Sequence, residues 1–174
     1  MVLLSRKLLL SCTALIGLVA AGAAHAATQT VTANVAFDTP LSIGGTPTID
    51  FGTVRANTTE TYNVSTAGTL TAVGSSANIL YGTASAAALT ITGSTTQAID
   101  ITANNYTAVD GSTPSAAVCD YASGGSVACT TLTGVAAPGA STTLAVGVQL
   151  DVTNTNNAAG DTDAPTFDIV VTYN

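Results

Sequence analysis

Leu144-Ala145-Val146-Gly147-Val148-Gln149-Leu150-Asp151-Val152 decides the fold class. Leu144, Val146, Val148, Leu150 and Val152 fall on one side of an extended chain. Side chains alternate across a strand, so a run of this kind buries one face and wets the other. The same alternation recurs along the chain. Val31, Ala33, Val35 and Phe37 form one such face, Tyr62 and Val64 another, and Leu70 and Ala72 a third. Leu89 and Ile91 come next, then Ile99 and Ile101, and finally Phe167, Ile169, Val171 and Tyr173. Gly68, Asp110-Gly111, Gly124-Gly125 and Pro138-Gly139 punctuate these runs as turn formers do. No segment after residue 26 keeps an apolar helical period for two turns. The pattern predicts an all-β protein, an antiparallel two-sheet sandwich, with one domain over residues 27–174.

Residues 1–26 read as a cleavable signal peptide, predicted to be helical. Arg6 and Lys7 precede an apolar stretch, and Ala24-His25-Ala26 offers small residues at a cleavage site. Cleavage there removes every Lys, the one His and the one Met of the chain. The mature chain has one base, Arg55, against ten acids, a net charge of −9. No mature segment approaches the roughly 18 apolar residues of a spanning helix, so membrane insertion of the mature chain is not expected.

That inventory excludes most chemistry. Without His there is no Ser-His-Asp triad or Cys-His pair, and without Lys no Schiff base or P-loop. A single Arg cannot neutralise the phosphates of a nucleic acid. The expectation is a protein that is not an enzyme, with no cofactor and no nucleic-acid partner. The carboxylates and amides of Asp151, Asn154, Asn156, Asn157, Asp161 and Asp163 are ligand types that calcium takes. Their spacing does not fit a helix–loop–helix calcium loop, and Asx residues are ordinary turn formers. They are read as a solvated loop before the last strand, and no metal site is assigned.

Cys119 and Cys129 are the only cysteines after the leader. In an exported chain an even pair around a Gly/Ser-rich segment reads as a disulfide. The nine intervening residues do not make a Cys-x-x-Cys redox motif.

Exposed sheet edges are usually blunted by lysine, and this mature chain has none. Alternating segments lie at both of its ends. Either they are ordinary sandwich strands, or the first is lent to a neighbour's sheet.

Further along, Pro40-Leu41-Ser42-Ile43 precedes Ile49-Asp50-Phe51-Gly52-Thr53-Val54, and the chain closes on Phe167-Asp168-Ile169-Val170-Val171-Thr172-Tyr173-Asn174. These features resemble a secreted family of Gram-negative bacteria described as a domain of unknown function. Its members carry an early Asp-Phe-Gly-Thr-Val-like strand and a terminal strand ending in Tyr-Asn. The chain ends also resemble chaperone–usher pilins, including the spore-coat-U-like and common-pilus types. In that resemblance Tyr173 matches the penultimate aromatic and Gly160 lies near the glycine expected about fourteen residues from the end, while the late disulfide and the absence of lysine depart from it.

The resemblance implies that the sandwich is immunoglobulin-like and that the protein is a structural subunit of a surface fibre, assembled by donor-strand exchange. Val31, Ala33, Val35 and Phe37 would be the donor side chains. Phe167, Ile169, Val171 and Tyr173 would wall the accepting groove. Self-association, a periplasmic chaperone and an outer-membrane usher would be the partners, with passage through the periplasm to the cell surface. Two other readings are a monomeric secreted or periplasmic binding module and a small outer-membrane β-barrel. The barrel lacks the aromatic girdles expected at both interfaces.

Overall fold

The computed structural model describes residues 28–153 and 156–174, so the predicted leader lies outside the described residues. The chain divides into two units, one ending at Val35 and one spanning Ala36–Asn174. The described part of the first, residues 28–35, carries no strand, and its Val31 and Val35 are exposed. The sequence pattern predicts an alternating strand through this region. An isolated extended segment has no ladder to satisfy its backbone groups, so alternation alone does not make it a strand.

The second unit is all-β and antiparallel, with no α-helix among the described residues. Its strands are β1 (Ser42–Thr46), β2 (Thr53–Val54), β3 (Glu60–Val64), β4 (Leu70–Ala72), β5 (Ile79–Tyr81) and β6 (Ala87–Thr92). They continue with β7 (Ile99–Thr107), β8 (Ser112–Tyr121), β9 (Val127–Ala128), β10 (Leu132–Val135), β11 (Thr142–Val152) and β12 (Thr166–Tyr173).

β11 is the axis of the larger, seven-stranded sheet. One of its edges pairs with β8 from Leu144 to Val152. The other pairs first with β6, over residues 142–146, and then with β3, over residues 148–152. β1 and β4 flank β6 and β3, and β9 flanks β8. A three-stranded sheet, β10-β7-β12, packs its Ile99, Ile101 and Ala103 against Leu89, Ile91, Leu144 and Val146 of the larger sheet. The result is the expected two-layer sandwich with a filled core. The short pair β2-β5 covers a second cluster, Tyr62, Leu150 and Val152.

β8 bends this regular scheme. Opposite Val148 two residues stand against one, and Ala116 there has φ 45°, the signature of a bulge. The predicted disulfide is formed. Cys119 and Cys129 lie fully inside the core with Cα atoms 4.9 Å apart. The strands do not close into a ring among the described residues, since β12 pairs with β7 alone and β1 with β6 alone.

Candidate functional site

The two sheets are unequal, and the site follows from that inequality. β7 sits between β10 and β12, and its Ile99 and Ile101 are fully buried. β12 is the edge strand, and its inward residues Phe167, Ile169 and Val171 are only half-buried. Beyond its unpaired edge no further strand of the small sheet, among the described residues, covers the floor. The opposite bank is the stretch from Pro47 to Thr58.

Between the banks runs a groove of ≈ 1100 Å³. Its floor is made of inward residues of the large sheet, among them Leu89, Val146, Val148, Leu150 and Val152. Phe167 and Ile169 form one wall and Ile49 and Phe51 the other. Loop residues 157–165 close one end. Phe167 is braced from behind by Tyr106, whose ring stacks on it at 5.4 Å. The Tyr106 hydroxyl accepts from the Ala117 amide at the bulge of β8.

The Asp50-Phe51-Gly52 motif builds the far bank. Phe51 packs against both core clusters. The Asp50 carboxylate accepts from the Gly52 amide at 2.7 Å, holding the turn. Gly52 has φ +63°, and a Cβ there would stand 3.1 Å from the Tyr81 carbonyl oxygen, so glycine admits the passing backbone of β5. Arg55 donates to the Ala77 carbonyl at 3.1 Å. Both residues hold local structure by these bonds, and both line the groove.

Of the residues assigned to the groove wall from the sequence, Phe167 and Ile169 line it. Val171 packs against the core beyond it. Tyr173 is placed elsewhere. Its hydroxyl donates to the Thr39 carbonyl and accepts from the Ser94 amide at 2.7 Å. Of the donor candidates, Val31, Val35 and Phe37 are strongly exposed, and Ala33 is exposed with them.

The Asp/Asn-rich loop staples itself. Asp163 accepts from Ser112 at 2.6 Å and from Asn157 at 3.2 Å, and Asp161 accepts from the Ala158 amide at 2.7 Å. Asp151 lies on the outer face and accepts from Thr61 and Ser115. Asn154 lies outside the described residues. No group of three His, Cys, Asp or Glu side chains converges among the described residues.

The floor and far bank are the parts that sequence reading misses. The Asp-Phe-Gly-Thr-Val stretch signals a strand, but nothing local says that it faces β12 across an open cleft.

A family model matches residues 41–173, which takes in every strand but leaves out the N-terminal segment. The chain belongs to the family described as Domain of unknown function (DUF4402). The match begins at Leu41, just after the pinned residues Asp38 and Thr39, and ends at Tyr173. The family domain and the groove-bearing sandwich are thus the same stretch of chain. Comparison with curated proteins and with solved structures finds no match.

Proposed function

We propose that this protein is a structural subunit of a bacterial cell-surface fibre whose groove accepts the N-terminal segment of a second copy. The observation that carries this reading is the apolar groove along the unpaired edge of β12, floored by core residues of β6 and β11. Its shape suits an extended strand. A free strand edge offers main-chain partners, and a floor of alternating apolar residues offers pockets at every second position. Residues 28–37 carry no charge and place Val31, Ala33, Val35 and Phe37 at that spacing. An export signal, a periplasmic chaperone that shields the groove and an usher that directs exchange complete the proposal.

Three measurements test it. The purified mature protein should form detergent-resistant ladders or filaments. Deleting residues 27–37 should abolish them while leaving a folded sandwich. A peptide of residues 28–37 should then bind the deletion variant and raise its melting temperature. A full-length protein that stays monomeric at high concentration, together with a peptide that does not bind, refutes the reading. The groove would then belong to a monomeric binding module.

A further inference from the structure

We infer that Tyr173, the last residue of β12, is a positioning residue that fixes the root of the N-terminal arm. The inference rests on the proposed donor role of that arm. Four observations meet at one point. The Tyr173 hydroxyl donates to the Thr39 carbonyl and accepts from the Ser94 amide. Ser94 is fully buried, and its hydroxyl donates to the Asp38 carboxylate. The same hydroxyl accepts from the amides of Thr96 at 3.1 Å and Gln97 at 3.0 Å. Gly93 completes the clasp, because a Cβ there would stand 2.7 Å from the Tyr173 hydroxyl and 2.8 Å from Leu41. An added methyl there would push these side-chain ends aside.

The clasp therefore grips two consecutive residues, Asp38 and Thr39, directly after Phe37. The donor segment ends where the grip begins. Extended chain reaches about 3.3–3.6 Å per residue, so residues 28–37 span roughly 33–36 Å. The part of β12 that lines the groove, Thr166 to Ile169, is about 14 Å long at ~3.4 Å per residue. An arm seated against that wall leaves about five or six residues to bridge back to its own sandwich. The clasp fixes where that bridge begins and keeps it from lengthening, so the spacing between successive subunits stays bounded. Released, residues 38–41 would add up to about 14 Å of free chain.

Tyr173→Phe keeps the ring and removes both hydrogen bonds. Gly93→Ala displaces the hydroxyl by a different route. In either variant of the full-length protein, hydrogen exchange at Ser94 and through residues 36–41 should quicken by about tenfold, the equivalent of one or two lost hydrogen bonds. Exchange in β7 and at residues 164–169 should not change. Filaments of either variant should bend more and show a wider spread of subunit spacing, while the ladders persist. Unchanged exchange at Ser94 and 36–41, or quickening spread equally over β7 and β11, overturns the inference. Exchange is read on the monomer as well, so failure of the wild type to polymerise defeats the fibre reading and leaves this test standing.

Discussion

Gly147 lies directly beneath the backbone of Val64, at the point where β11 exchanges one neighbour for another. A Cβ built on Gly147 would overlap the Val64 carbonyl oxygen and stand 2.7 Å from the Ser65 carbonyl carbon. Up to Val146 the edge of β11 belongs to β6, and from Val148 it belongs to β3. The two strands can share one edge because the residue between them has no side chain. Gly147→Ala should therefore be among the most damaging single-methyl additions in the domain. The obstruction is backbone, which cannot rotate away, so a loss of about 2–3 kcal/mol or more is expected in urea denaturation. A midpoint shift of less than a few tenths of a kilocalorie would show that β3 does not press on this position.

The disulfide should contribute about 2–3 kcal/mol, as closing a ten-residue loop does in the chain-entropy account. Both sulfurs are shielded in the core, so reductant should act slowly on the native protein and quickly in denaturant. The double variant Cys119→Ala, Cys129→Ala should keep its β circular dichroism and unfold at lower urea. Equal midpoints with and without reductant would count against this.

Glu60 closes the inner face of β3 with a carboxylate that is a hub for four donors. The amides of Gly74, Ser75 and Thr61 and the side-chain amide of Asn78 all donate to it, at 2.7, 2.8, 3.0 and 2.9 Å. The Gly74 amide first, then Asn78 and the others, lower its pKa from 4.5 to about 2. A carboxylate whose folded pKa is depressed contributes stability above its unfolded pKa and loses it as pH falls toward the folded value. The wild type should therefore weaken between about pH 4.5 and about pH 2. Glu60→Gln should be less stable at pH 7, and the gap should narrow from about pH 4.5 down to about pH 2 as the wild-type carboxylate takes up its proton. A gap that stays constant down to pH 2 would mean that the charge on Glu60 is immaterial.

Much of the sandwich is legible in the sequence because its inward residues are large and regularly spaced. β3, β6, β7, β11 and β12 all show clean alternation, and all are strands. β8 is not legible, although it pairs with nearly all of β11. Its inward residues are Ser112, Pro114, Ala117, Cys119 and Tyr121, so small and polar groups stand where a pattern needs bulk. The bulge at Ala116 then shifts the parity halfway along. The groove is legible only by one wall, Phe167 and Ile169, because a strand announces its own periodicity but not the absence of a neighbour. Tyr173 departs from its expected place for a related reason. Alternation puts it on the inward face with Val171, whereas its hydroxyl is drawn to the polar groups at Thr39 and Ser94 past the end of the groove.

The groove makes a prediction in which stability and assembly separate. Ile101 and Ile169 face the same interior from neighbouring strands, but Ile101 is 0% exposed and Ile169 is half-buried on the groove wall. Truncating a fully buried isoleucine costs about 2–5 kcal/mol, because it removes contacts on all sides and leaves a cavity. Ile169 is only partly buried and faces the groove, so its transfer and cavity terms are both smaller. Ile101→Ala should lower stability severely. Ile169→Ala should cost about 1 kcal/mol or less in the monomer, since little apolar surface is lost from the core. An arm seated in the groove would cover Ile169 and restore the missing half of its contacts. The same substitution should then weaken binding of the 28–37 peptide about tenfold, or by more where the alanine leaves a void beneath the donor side chain. Equal stability losses in the two variants would mean that the wall is already fully packed. A full-affinity peptide on Ile169→Ala would place its binding away from the edge of β12.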